Sequence, residues 1–134
     1  MSTSNAAEQA RSRILFVDDH EDTRDLMRLV LTQEQYEVVT ANSMRDAVAL
    51  AEKENFDLFM FDSWLPDGTG IELCKRIREM NQLTPILFYS GLAHEQNKQE
   101  ALRSGAQEYL VKPVSIPELF KTVAGLISPK PQSL

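Results

Sequence analysis

The chain has 134 residues, a net charge of -6, and 43% hydrophobic against 25% charged residues, a balance that excludes a disordered or membrane-embedded protein. A chain of this length buries roughly two-thirds of its unfolded surface and needs no disulfide or structural metal to fold. The acidic balance excludes direct nucleic-acid binding, which requires clustered Lys and Arg, and the lone cysteine, Cys74, excludes an intramolecular disulfide and reads as a small buried residue in a reducing compartment. No run approaches membrane-spanning length, and Met1 to Ser12 lacks the apolar core of a signal peptide, so a cytoplasmic protein with no membrane contact is expected.

In chain order, residues 1–12 read as a flexible tail without periodicity. Ile14 to Val17 reads as a short buried strand ending abruptly in Asp18-Asp19-His20. From Asp22 the spacing turns helical, with Leu26, Leu29, Val30 and Gln33 on one face. Tyr36 to Ala41 reads as the second strand. Ser43 can cap the next helix, whose narrow apolar face is Ala47, Leu50 and Ala51. Phe56 to Phe61 is apolar almost throughout, as suits a strand covered on both faces, and it stops at Asp62. Pro66, Asp67, Gly68 and Gly70 break regular structure after it.

Thr69-Gly70-Ile71-Glu72 matches a capping box opening a helix that buries Ile71, Cys74 and Ile77. Pro85 to Tyr89 reads as the fourth strand, ending at Ser90-Gly91. Ala93 to Arg103 has helix-forming composition but is polar from His94 through Glu100 and lacks a capping box, so the weakest helix is expected there. Gly105 closes it, and Ala106 to Val111 reads as the fifth strand, ending at Lys112-Pro113. Ser115-Ile116-Pro117-Glu118 is a second capping box, before a helix that buries Leu119, Val123 and Leu126. One domain over residues 13–127 is expected, with 128–134 a tail or the start of a linker.

Strands and helices alternate with roughly 23 residues per unit, the length of a strand, a helix and two short loops. That pattern gives an α/β fold with a doubly wound five-stranded parallel sheet, since five units are too few for an eight-stranded barrel. In such a sheet Asp18, Asp19, Asp62, Ser90 and Lys112 all fall just past strand carboxyl ends, where ligands bind in open parallel sheets, so they should converge. Three converging carboxylates repel one another and call for a cation. Oxygen-only ligands suit Mg²⁺ or Mn²⁺ rather than Zn²⁺. A lysine and a hydroxyl facing that cluster supply donors for an anion, and phosphoryl transfer requires mainly positioning and charge neutralisation. Asp62, on the central strand, qualifies as the nucleophile that accepts the phosphoryl group.

The ordered set Asp18-Asp19, Asp62 with Pro66, Ser90-Gly91 and Lys112-Pro113 resembles the receiver domain of two-component response regulators, and the intervals agree with that family's layout from about Arg13 to Ile127. The resemblance implies a sheet order of 2-1-3-4-5 in a flavodoxin-like three-layer sandwich. It implies that Asp62 takes a phosphoryl group from a sensor histidine kinase or phosphotransfer protein, with Asp19, Asp62 and the backbone carbonyl of Trp64 ligating Mg²⁺ and Asp18 assisting. Lys112 would pair with the phosphoryl oxygens, Ser90 would hydrogen-bond one of them, and Tyr109 would be the aromatic switch turning inward as Ser90 moves. The bond before Pro113 is expected to be cis. Such a protein is a self-catalysed phospho-acceptor rather than a turnover enzyme. It would signal to a downstream effector through its fourth helix, fifth strand and fifth helix, with homodimerisation on phosphorylation left open.

Rival readings differ in class. A phosphorylation-independent receiver-like interaction module should lack one of the pocket residues. An Asp-nucleophile phosphohydrolase would want a second acid where Trp64 stands. A flavin binder would need a hydroxyl- and glycine-rich loop after the first strand, where Asp18-Asp19 would repel phosphate. His20 and His94 each sit alone in polar surroundings and read as solvated surface.

Overall fold

The computed structural model describes residues 11–127. The tails expected over 1–12 and 128–134 lie outside these residues, apart from Arg11 and Ser12. Strand β1 (Arg13–Val17) is followed by α1 (Glu21–Gln33), β2 (Glu37–Ala41), α2 (Met44–Lys53), β3 (Leu58–Phe61), α3 (Gly70–Met80), β4 (Ile86–Ser90), α4 (Glu95–Ser104), β5 (Glu108–Val111) and α5 (Ile116–Ile127). Between β3 and α3, Trp64–Leu65 pairs antiparallel with Gly68–Thr69 as a small ribbon. The five main strands form one parallel sheet in the order β2-β1-β3-β4-β5, so the chain winds outward from β1 in both directions and covers both faces.

Alternate side chains of each strand feed two cores. On one face Leu15, Val17, Phe59, Phe61, Ile86 and Phe88 pack against Ala47 and Val48 of α2, Leu73, Cys74 and Ile77 of α3, and Ala101 of α4. On the other, Ile14, Phe16, Leu58, Met60 and Leu87 meet Met27 and Leu31 of α1 and Leu119 and Val123 of α5. Every residue of β3 is buried, which is why its sequence shows no alternation. Full burial of side chains the size of Phe59 or Phe61 is worth about 2–3 kcal/mol each, so the centre of the sheet is the most strongly fixed part of the molecule.

The helix faces differ in detail from the expected ones. On α1 the buried residues are Met27 and Leu31, while Leu26 and Leu29 are about 60% exposed. The stretch Leu26 to Leu31 is apolar at five of six positions, so helical spacing does not select a face and the sheet does. On α2, Val48 is buried while Leu50 and Ala51 pack only partly, and on α3 Leu73 joins Cys74 and Ile77.

Helix ends follow the sequence signals closely. The Thr69/Glu72 capping box forms in both directions, and Ser43 accepts from the Asp46 N–H at 3.1 Å. Asp67 adds a second cap to α2 from across the chain, accepting the N–H groups of Met44 and Arg45 at 2.8 and 2.9 Å. These bonds hold its carboxyl below the usual range against the opposing effect of burial. At α5, Ser115 accepts from the Glu118 N–H at 3.2 Å, one half of the expected box. Helix α4 has no side-chain cap at His94 and a single buried residue, Ala101, and it ends on Gly105 at φ 122, a conformation that favours glycine.

Candidate functional site

The parallel ladder continues one residue past several strands and thereby fixes the backbones that matter. Asp18 N–H donates to Ala41 O at 3.1 Å, Asp62 N–H to Val17 O at 3.0 Å, and Lys112 N–H to Ser90 O at 2.7 Å. Three polar residues from β1, β3 and β5 are therefore held at the same edge of the sheet by backbone bonds, independently of their side chains. Gly70 closes the floor: a Cβ there would lie 2.5 Å from Asp62 O and 2.7 Å from the Phe88 ring, so only glycine lets α3 start this close to the Asp62 backbone.

Ligand atoms of Asp18, Asp19, His20 and Asp62 all lie within 4.8 Å of one another. Asp18 is fully buried and Asp62 is 8% exposed, whereas half of the cluster, Asp19 and His20, faces solvent. Lys112 Nζ lies 3.2 Å from Asp18 Oδ2 and 3.7 Å from Asp62 Oδ1, and 5.1 Å from the centre of the Tyr89 ring. The ammonium is thus held between two carboxylates and an aromatic face. Carboxylate oxygens at this spacing, with solvent on one side, could hold a hard divalent cation.

Burial pushes the Asp62 carboxyl above its usual range. Lys112 opposes the shift, and Asp18 and Asp19 add to it. Desolvation therefore outweighs the mutual repulsion that the sequence suggests. His20 is not the isolated surface residue expected. Its ring is 69% exposed, but Nδ1 lies 3.0 Å from Asp18 Oδ1 and 3.1 Å from Asp19 Oδ1. The hydrogen bond to Asp18, helped by the Asp19 charge, raises its pKa.

A second group of residues adjoins the acids. Ser90 is fully buried, with its Oγ 2.6 Å from Ser63 Oγ and accepting the Leu92 N–H at 3.0 Å. Leu92 O in turn accepts the Tyr109 hydroxyl at 2.7 Å, and the Tyr109 ring stacks on Phe88 at 5.8 Å. Tyr109 is thus inward and buried, tied to Ser90 through one backbone segment. Trp64 opens the ribbon two residues past Asp62, with its backbone paired to Thr69 and the residue 61% exposed. The Lys112–Pro113 bond is cis. Ser63, His20 and Tyr89 were not legible as site residues. Each lies beside a residue that was, and that adjacency is the only sequence signal they carry.

The family profile described as the response regulator receiver domain matches residues 14–124. The chain belongs to the response regulator receiver family. This receiver domain is 40% identical over 116 residues to a 14.6 kDa protein from the sodA1 3′ region of Leptolyngbya boryana, a match covering 85% of this chain and 88% of that one. It is 34% identical to the transcriptional regulatory protein ResD of Bacillus subtilis over 87% of its own length and 48% of that protein's, so it spans about half of such a regulator. The structure of the chemotaxis protein CheY4 of Vibrio cholerae superposes with a TM-score of 0.83 at 35% identity, covering 87% of this chain and 99% of that one. No helix among the described residues is long and apolar enough to cross a membrane.

Proposed function

We propose that this receiver domain is a cytoplasmic phospho-acceptor switch, and that the observation carrying this is the convergence of Asp18, Asp19, Asp62 and Lys112 on one edge of the sheet. An Asp62 carboxylate oxygen attacks the phosphorus of a phosphohistidine on a histidine kinase or phosphotransfer protein. The P–N bond breaks, the imidazole leaves, and an acyl phosphate remains on Asp62. Asp19, Asp62 and the Trp64 carbonyl would ligate Mg²⁺, assisted by Asp18, and the ion supplies neutralisation of phosphoryl charge. Lys112 is within short reach of both Asp18 and Asp62 and moves from them toward the new phosphoryl oxygens.

Asp62 itself acts once per cycle, so the domain is an acceptor that helps catalyse its own modification rather than a turnover enzyme. Ser90 donates its hydroxyl proton to a phosphoryl oxygen. Its partners Ser63, Leu92 and Tyr109 must then readjust, which carries the change to α4, β5 and α5 as the face read by an effector protein.

Trp64 is the only tryptophan and stands two residues from Asp62, so its emission reports the site. Mg²⁺ should change it, and beryllofluoride, a phosphoryl mimic, should change it again. Asp62→Asn should abolish the second step. A beryllofluoride response that survives in Asp62→Asn would refute Asp62 as the acceptor.

A further inference from the structure

Ser90 is fully buried, and its hydroxyl has one proton and two lone pairs to satisfy. Its oxygen has two partners among the described residues. The Leu92 N–H, which can only donate, fills one lone pair at 3.0 Å. Ser63 Oγ lies at 2.6 Å, and because hydroxyl protons rotate, that bond can run either way. The two directions are not equivalent. If Ser63 donates, both lone pairs of Ser90 are filled and its proton has no acceptor among the described residues. If Ser90 donates, its proton is paired, and Ser63, which is only half-buried, can turn its own proton toward water in the cavity it lines. A buried O–H without a partner costs more than a hydrogen bond usually returns, so the unphosphorylated domain keeps the second arrangement.

A phosphoryl group on Asp62 reverses the bond. On the phospho-acceptor reading, from which this step starts, the Ser90 proton turns to a phosphoryl oxygen and so leaves Ser63. The Ser63 proton then turns inward and fills the second lone pair of Ser90. Both hydroxyls rotate about their C–O bonds, and no O–H bond breaks. We propose that Ser63 is the resting acceptor of the Ser90 hydroxyl proton, and that this bond opposes capture of the phosphoryl group. The Ser63 hydroxyl acts through Ser90, which makes Ser63 a positioning residue. Without that hydroxyl the Ser90 proton is unpaired before phosphorylation and paired after it. The loaded state loses only one acceptor bond, on an oxygen that keeps the Leu92 N–H. Removing the Ser63 hydroxyl therefore penalises the resting state more than the loaded one and shifts the balance toward the loaded state.

Beryllofluoride titrations of the whole chain in Mg²⁺, followed by Trp64 emission, test this in wild type, Ser63→Ala, Ser90→Ala and the double variant. Ser63→Ala removes one oxygen from a half-buried position and should fold as wild type does. It should bind the mimic roughly five- to tenfold more tightly than wild type. In the Ser90→Ala background the same substitution should change affinity less than about twofold, which a general loosening of the site would not produce. Unchanged or weaker binding by Ser63→Ala, or an equal gain with Ser90 absent, would overturn the proposal. A gain that matches a change in Mg²⁺ affinity would also overturn it, assigning the effect to the metal. Failure of wild type to bind the mimic at all would instead refute the phospho-acceptor reading, and this proposal with it, so the two failures are told apart.

Discussion

Asp62 is held where its charge is unfavourable, and that is a property of its surroundings rather than of its sequence neighbours. Its folded pKa is raised, chiefly by burial. Because the raised value lies above the unfolded one, its stabilising contribution is complete at low pH and is lost as pH rises through the folded pKa. At neutral pH without metal, Asp62→Asn should therefore raise Tm by about 3 °C, with the gain shrinking as the pH falls through the raised folded pKa and vanishing at the usual carboxylate value. Thermal melts in chelator at both ends of that window check this, and a lower Tm for the variant at neutral pH would contradict it.

The Ser63–Ser90 contact makes a second claim at this scale. A part-buried hydroxyl pair 2.6 Å apart should be energetically coupled, and a double-mutant cycle of Ser63→Ala and Ser90→Ala followed by urea unfolding should give a coupling of about 1 kcal/mol. Additive losses would show the contact to be incidental. Asp18, Asp62 and Lys112 could be found from the sequence because each directly follows an apolar run, and Asp19 because it adjoins Asp18. Ser63 could not, since nothing in its local pattern shows that a hydroxyl 27 residues away faces it.

Among the elements, α4 is the least firmly held. One buried alanine and an uncapped start leave little to hold it, whereas α3 has a complete capping box and four buried residues. Amide hydrogens of α4 should exchange far faster than those of β3, and beryllofluoride should alter their rates. Exchange as slow as in β3, unchanged by the mimic, would exclude α4 as the moving part. The polar run from His94 to Glu100 makes this weakness readable in advance, because a helix with no apolar stripe cannot bury much wherever it packs. The face of α1 was not readable in the same way. With Leu26, Met27, Leu29, Val30 and Leu31 all apolar, the choice of Met27 and Leu31 is made by the sheet surface they meet. The cap that Asp67 places on α2 is equally hidden, since it joins residues more than twenty positions apart.

Across the whole molecule, the winding of the chain turns a one-dimensional pattern into a site. Apolar runs that each stop at a polar residue become parallel strands, and their parallel alignment brings every stop to one edge. This is why the parallel sheet and the acidic pocket follow from the sequence pattern, with the strand order implied by the family resemblance, while the second layer, His20, Ser63 and Tyr89, does not. The first depends on the period of the pattern and the second on side-chain directions after folding.

The central claim is that this edge accepts one phosphoryl group on Asp62. Mass spectrometry of the intact chain after incubation with Mg²⁺ and acetyl phosphate tests it directly. The mass should increase by one phosphoryl group in wild type and not in Asp62→Asn or in chelator, with the label mapping to the peptide that contains Asp62. Labelling that persists without Asp62, or an unlabelled wild-type chain that demonstrably binds Mg²⁺, would contradict it.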